Sequence, residues 1–345
     1  MTALDVSIVV PTRDRPERLR ATVAALARQT HPYERMEVIV VDDGATDGTV
    51  RVARAARGPA VTVVRQPNAG VTAARNNGAA RARGRLLVFV DDDVELLPDA
   101  VEALVEAHAR WPRAVVVGLI ASPPPENAFQ RLDVAGQPAG GEADVEIRFN
   151  ECFTGVLSIG REEFFSLGRF RDPTGEWPSW DDIDFGFRAR ESGFRLVRCV
   201  RARGIHHDEW ATSLEQMSRR WRAASRSAVR LFQLHPGLQH SFPMYRDKLP
   251  VRWGEDSLSL TLRKLLRSLV SSRLVLTPLA RLAGASSRHG WAPRLTRSLC
   301  GCVVGGNQWR GLRDGLSEFG PLAERGVEQP TDGVTASPPQ PGRGG

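Results

Sequence analysis

Short apolar runs separated by polar, helix-spaced stretches set the pattern of the first hundred residues. Val6-Ser7-Ile8-Val9-Val10, Val38-Ile39-Val40-Val41 and Val61-Thr62-Val63-Val64 each read as a strand, and Leu86-Leu87-Val88-Phe89-Val90 as a buried fourth. Between them, residues 17–29 place Leu19, Val23, Leu26 and Ala27 on one helical face, and 49–57 and 69–83 also read as helices. This alternation predicts a parallel α/β sheet with helices on its faces. Further on, 98–112 predicts a helix and Val115-Val116-Val117 a strand. Residues 122–144 are rich in Pro, Gly and Ala and read as a long loop, either an acceptor-facing flap or a plain insertion. Residues 213–233 and 258–283 predict two more helices, and the composition from Pro330 onward predicts a disordered tail.

Composition narrows the class without naming a function. At 345 residues, with 41% apolar and 25% charged side chains, the chain fits a soluble globular protein of more than one domain. No apolar window approaches the length of a membrane span. The start of the chain has no basic segment ahead of an apolar core, so a secretory signal is not expected. Four scattered cysteines suit buried free thiols in a reducing cytoplasm better than a disulfide framework. The net charge of +7 is unevenly placed. Residues 1–250 carry 34 basic and 33 acidic side chains, whereas 251–320 carry 11 and 4. The balanced first part argues against a nucleic-acid partner.

Candidate chemistry collects where strands end. Leu86–Val90 runs into Asp91-Asp92-Asp93, which places three carboxylates at the carboxyl end of a buried strand, where open α/β sheets bind ligands. Acids this close repel one another unless a cation intervenes, and hard oxygen ligands suit Mg²⁺ or Mn²⁺ carrying a diphosphate. The plainer alternative is a solvated acidic turn that caps the next helix. The first strand ends in Pro11-Thr12-Arg13-Asp14 and the second in Asp42-Asp43-Gly44. No dinucleotide fingerprint or P-loop occurs anywhere. Arg75, in Arg75-Asn76-Asn77-Gly78, suits a diphosphate or equally a neighbouring acid. In the second half, Trp180-Asp181-Asp182-Ile183-Asp184 puts carboxylates at a helix start, where one can cap and another can act as a base. Trp177 and Trp180 beside them suit a sugar-binding platform. His206, in Ile205-His206-His207-Asp208, closes another strand and is a candidate nitrogen ligand, although such a pair is more often structural.

Taken in order, these pieces resemble the family 2 glycosyltransferases, inverting enzymes of the GT-A fold that use nucleotide-sugar donors. The matching stretches are Val6–Arg13, 41–44, Asn68-Ala69-Gly70 with Ala74-Arg75-Asn76, Phe89–Asp93, Gly155 with Arg161-Glu162, Asp181–Arg188, Ser192–Val197 and His206, covering roughly residues 5–210. The resemblance implies a GT-A-type nucleotide-binding sheet with helices on both faces. It implies a catalytic domain over 1–210, divided into a nucleotide-sugar half (1–97) and an acceptor half (98–210). A helical basic region (211–325) and a tail (326–345) would follow. By the same resemblance Pro11, Thr12 and Arg13 line the nucleoside pocket, Asp43 contacts the base, and Arg75 and Asp92 join the donor site. The Asp91-Asp92-Asp93 group is the family's DxD motif. Asp93 would be the direct ligand of a divalent cation, Mn²⁺ or Mg²⁺, Asp91 would steady the sugar or the ribose and add to the metal set, and His206 would complete the shell. Asp182 is the general base toward a hydroxyl acceptor. Asp181 stands where the family usually has Glu, so its part in acceptor positioning is open.

Two other readings remain at this stage: a non-catalytic nucleotide-sugar-binding or scaffolding relative, and a nucleotidyltransferase. The second would want a glycine in its triphosphate loop, which Thr12-Arg13-Asp14-Arg15-Pro16 lacks. Residues 258–283 space Leu258, Leu262, Leu265, Leu266 and Leu269 along a basic amphipathic helix. That pattern suits either a membrane surface, and hence a peripheral place on the inner face of the membrane, or packing on the catalytic domain or a second copy.

Overall fold

The computed structural model describes residues 4–46, 48, 51–52, 58–122, 141, 143–175, 179–207, 213–288 and 293–322. Most of the expected helix over 49–57, most of the expected long loop, Trp177 and the expected tail lie outside these residues.

Nine strands among the described residues form one sheet: β1 (Val6–Thr12), β2 (Met36–Asp43), β3 (Ala60–Gln66), β4 (Leu86–Val90), β5 (Val94–Leu96), β6 (Ala114–Ala121), β7 (Val145–Glu146), β8 (Val156–Gly160) and β9 (Arg195–His206). Their order is β3-β2-β1-β4-β8-β6-β9-β5, with β7 also paired to β9. The first four strands run parallel, as their spacing predicts. The second half is mixed, because β8 runs antiparallel to both β4 and β6. β1, β2 and β4 are buried along their whole length, which explains their unbroken Val/Ile/Leu content.

Helices cover both faces, and the pleat divides each strand between them. Ile8, Val10, Val38, Val40 and Val88 pack with Leu19, Val23 and Leu26 of α1 (Pro16–Leu26). Val9, Ile39, Val41, Leu87 and Phe89 face the opposite way, toward Ala74 and Ala79 of α2 (Val71–Arg81). α3 (Ala100–Arg110) joins the first layer; α4 (Arg161–Ser166), α5 (Asp181–Glu191) and α6 (Leu214–Leu234) join the second. α2 lies very close to the sheet. A Cβ on Gly78 would sit 2.4 Å from a Val9 methyl, so only glycine lets the helix approach this far.

The C-terminal region departs from expectation twice. The single helix expected over 258–283 is two, α7 (Leu258–Val270) and α8 (Arg273–Arg288). The break falls at Ser271, whose hydroxyl donates back to the Arg267 carbonyl at 2.6 Å and offers the backbone an alternative to continuing the helix. A further long helix, α9 (Pro293–Phe319), packs lengthwise on α6.

Candidate active site at the strand ends

The strand order reverses between β1 and β4, so the carboxyl ends of these two strands open a crevice. Thr12 stands at one lip and the Asp91-Asp92-Asp93 turn at the other. Asp42 and Asp43 end the adjacent strand, β2.

The three acids of the triplet face three different partners. Asp92 turns inward: it accepts from the Thr12 hydroxyl at 2.7 Å, and its backbone carbonyl accepts from Thr22 at 2.8 Å. Burial pushes its carboxyl up to about 6 against the opposing Thr12 hydrogen bond. Asp93 turns toward the rim, with His206 Nε2 at 3.1 Å from one oxygen and Arg15 Nη1 at 3.2 Å from the other. Burial alone would raise its carboxyl, but His206 and Arg15 together hold it below the usual range. Asp91 turns to Arg75, at 2.7 Å.

The approach of His206 depends on a strand too short to be read from the sequence. β5, only three residues long, pairs antiparallel with the end of β9 and sets Val94 opposite His206. The amide of His207 then donates to the Asp93 carbonyl at 2.8 Å. Asp93 and His206 thus meet as an oxygen and a nitrogen donor. Asp91 does not join them, and among the described residues no three metal-binding side chains gather. Of Asp91, Asp93 and His206, expected together from the resemblance, the last two are in contact and Asp91 is bonded to Arg75. A two-donor site still fits Mg²⁺ or Mn²⁺, which keep few protein ligands when substrate phosphates supply the rest.

Asp43 organises the neighbouring loop. Its carboxylate accepts from Gln66 at 2.8 Å, from the Ala69 amide at 2.8 Å and from the Gly70 amide at 2.9 Å. These bonds fix the entry to α2. Gly44, at φ +81, makes the turn after β2; a Cβ there would meet the Asn68 amide nitrogen at 2.8 Å. Pro11 lies within β1, opposite Val41. Arg13 is exposed and pairs with its neighbour Asp14 at 3.4 Å, whereas Arg15 is the arginine of this segment that reaches the acidic turn.

Arg75 links the two halves of the site. It is buried on α2, with one guanidinium nitrogen 2.7 Å from Asp91 and the other 2.9 Å from Asp181. Burial would lower its pKa, but Asp91 and Asp181 more than reverse this, so it stays charged. The acid partners weighed for Arg75 are thus Asp91 and Asp181. Asp181 also accepts from Thr72 and from Ser179, each at 2.9 Å, so its buried carboxylate holds the start of α5 rather than facing outward.

Asp182, the next residue, is half-buried, and one of its oxygens accepts from the Ile183 amide at 2.8 Å. Burial, reinforced by the negative charge of Asp181, pushes its carboxyl up to about 7; Arg75 and the Ile183 amide oppose the rise. An aromatic cluster fixes α5 against β4. Phe185 stacks within 4.7 Å of Phe170 and 5.6 Å of Phe164, and both of those rings contact Phe89. Phe89 precedes Asp91 by two residues and Phe185 follows Asp182 by three, so one cluster sets the spacing of the two carboxylates.

Sequence reasoning missed Arg15, Thr72 and Ser179, which carry no motif of their own. Trp180 is partly buried, and its indole N–H is shared between the Ala224 carbonyl and the Ser227 hydroxyl, each at 3.1 Å, which anchors it to α6. It holds a left-handed backbone (φ 56), a strained state for a bulky residue directly before Asp181 and Asp182.

Residues 7–165 match the model of "Glycosyl transferase family 2", a segment that ends before Asp182 and His206. The validoxylamine A glucosyltransferase of Streptomyces hygroscopicus subsp. jinggangensis (strain 5008) is 30% identical over 231 residues, covering 58% of this chain and 54% of that protein. The chain spans about half the length of the curated relatives it matches first. Among solved structures, the mannosyltransferase PcManGT from Pyrobaculum calidifontis, in complex with GDP-Man and Mn²⁺, superposes with a TM-score of 0.53 at 17% identity, covering 90% of this chain and 88% of that one. TarS 1-349 of S. aureus, in complex with UDP, gives 0.51 at 15% identity, covering 94% and 95%. At these identities the likeness shows a shared fold. Residues 7–165 thus match a family 2 glycosyl transferase domain, and the chain shares the fold of these two solved structures.

Proposed function

We propose that the chain transfers a sugar from a nucleotide-sugar donor to a hydroxyl acceptor with inversion, using Asp182 as the general base. The observation that carries this reading is the carboxyl of Asp182, which follows Asp181 beside the Arg75–Asp91 pair and is raised to about 7 by burial and by Asp181. A base poised near neutrality can take a hydroxyl proton as the acceptor oxygen attacks the anomeric carbon. A pure nucleotide-sugar binder has no use for such a group, and this weighs against the scaffolding alternative. Asp181 and Arg75 position the base, one by closing the start of α5 and the other by tying it to Asp91.

Asp93 and His206 are the residues that would hold a divalent cation. When bound, the cation supplies positive charge to the diphosphate leaving group as a Lewis acid. Thr12, and Asp43 with the Ala69 and Gly70 amides that it orders, would frame the nucleoside side of the crevice. The two ligand-bound structures that share the fold hold UDP and GDP-Man, which supports a nucleotide-sugar donor here. The test is thermal stability against a panel of nucleotide sugars, with Mn²⁺ or with chelator. One donor class should raise the melting temperature only when metal is present, because a ligand that binds the native state alone stabilises it. A flat response to every donor would defeat the proposal.

A further inference from the structure

α7, which follows the sheet and α6, is built inside out. The most deeply buried side chain of α7 is Lys264, 5% exposed. Its ammonium donates to Asp256 at 2.6 Å and to the Pro250 carbonyl at 2.9 Å. Arg267, one turn on, bonds Asp247 at 2.9 Å on the same inner side. The leucines face water. Leu258 is 85% exposed and Leu262 66%, and Leu265, Leu266 and Leu269 continue the stripe. α8 buries Leu276 and Ala283 on its inner side in the usual way, yet it too leaves apolar side chains in water: Leu274, 89% exposed, with Val275 and Leu282. Trp253, 77% exposed, stands just ahead of α7. A contiguous apolar stripe of this kind is uncommon on a protein that works in free solution.

We propose that α7, α8 and Trp253 form a docking face for an anionic lipid surface, on which the protein lies without crossing. The charge pattern selects this occupant. From Ser257 to Arg313 there is no acidic residue, while ten basic ones fall in the same stretch. Arg263, Arg273 and Arg281 are exposed among the leucines and match a negative headgroup layer. A second copy of this chain seated two-fold on the same face would bring these arginines together with no carboxylate from the stretch between them. The catalytic sheet is not available as an occupant either. Rolling the leucines inward would break the Lys264–Asp256 and Arg267–Asp247 pairs and expose cations that are now held. Among the described residues no helix is long and apolar enough to cross a bilayer, which leaves binding in the interface plane. Tryptophan is enriched at that depth, where one part of the ring is apolar and the other meets water.

This inference does not rest on the transfer reaction. Its test is co-sedimentation of the full chain with phosphatidylglycerol-containing vesicles and with pure phosphatidylcholine vesicles, at low and high salt. Binding should require the anionic lipid and weaken with salt. The triple variant L262Q/L266Q/L269Q changes only exposed positions and should lower vesicle affinity by at least about tenfold, with its melting temperature and donor response preserved. The variant R263Q/R273Q/R281Q should lose the preference for anionic vesicles. No sedimentation of the folded wild-type chain at low salt would overturn the proposal. So would a concentration-dependent dimer that the triple leucine variant dissociates while vesicle binding is absent, because the face would then belong to a second copy. A chain that binds vesicles but no nucleotide sugar would keep this inference and defeat the proposed reaction.

Discussion

The sheet region and the region after α6 handle polar and apolar residues in opposite ways. In the first, leucines and valines fill both faces of the sheet, and the acids are bonded: around the crevice Asp92 with Thr12, Asp91 and Asp181 with Arg75, and away from it Glu37 with Arg83 and Asp184 with Arg188. In α7 it is the cations that go inward, with Asp256 and Asp247 as their partners, and the leucines that go outward. Buried polar groups are tolerated in both places because each is paired. What differs is the surface left over: a charged crevice suited to chemistry in one region, an apolar basic face suited to adhesion in the other.

The largest effect that would break this comparison lies at Asp182. Replacing it with Asn should lower turnover by about 10²- to 10⁴-fold while the donor still raises the melting temperature. Equal loss of donor binding and turnover would remove it as the base. In the unaltered chain, activity should rise as pH climbs through about 7, because the base works only when deprotonated and burial has raised its pKa. The residual activity of the Asn variant should lack that limb.

Next in size is Arg75→Met. It leaves Asp91, Asp181 and Asp182 facing one another without their shared cation, and breaking a buried pair in this way costs about 3–5 kcal/mol. Chemical denaturation would measure it. Since Arg75 opposes the rise at Asp182, the pH limb should also move to higher pH in any variant that folds. An unmoved limb would show that Arg75 acts through folding alone.

Much of the crevice was legible because strands buried on both faces announce themselves as unbroken Val/Ile/Leu runs, and the residues that end such runs share one rim. The partners of each acid were not legible. Asp91, Asp92 and Asp93 are chemically equivalent in sequence, and only the turn geometry sends them to Arg75, Thr12 and His206 respectively. β5 escaped because three residues show no period, yet its pairing is what delivers His206. α9 falls inside the helical region expected over 211–325, but its bounds and its seat on α6 were not legible. A Cβ on Gly311 would sit 2.0 Å from the Arg222 carbonyl oxygen and one on Gly315 2.4 Å from that of Arg226. These glycines are the points where α9 presses on α6.

A smaller effect should follow at Asp93. Replacing it with Ala removes one of the two side chains proposed to hold the cation and should weaken metal-supported donor binding by about 10- to 100-fold, read as the part of the donor-induced melting shift that chelator abolishes. Asp91→Asn offers the contrast. If Asp91 serves Arg75 and not the cation, that variant should keep the metal-dependent part of the shift, and losing it would restore Asp91 to the metal set.

The smallest expected effect tests the outward face. Leu262 on α7 and Leu157 on β8 are the same residue type in opposite surroundings, one 66% exposed and the other fully buried. Leu157→Ala should cost about 2–5 kcal/mol, since it removes apolar burial and leaves a cavity. Leu262→Ala should stay within about 0.5 kcal/mol in dilute solution, because its side chain already meets water and alanine suits a helix at least as well. The pair of denaturation curves separates a face that is bare in solution from one that is covered. A loss above about 1 kcal/mol at Leu262, growing with protein concentration, would mean that a second copy shields it, because self-association ties stability to mass action. A neutral result without vesicles, together with weakened vesicle binding in the same variant, would mean that the leucine face gains its contacts only at the membrane surface.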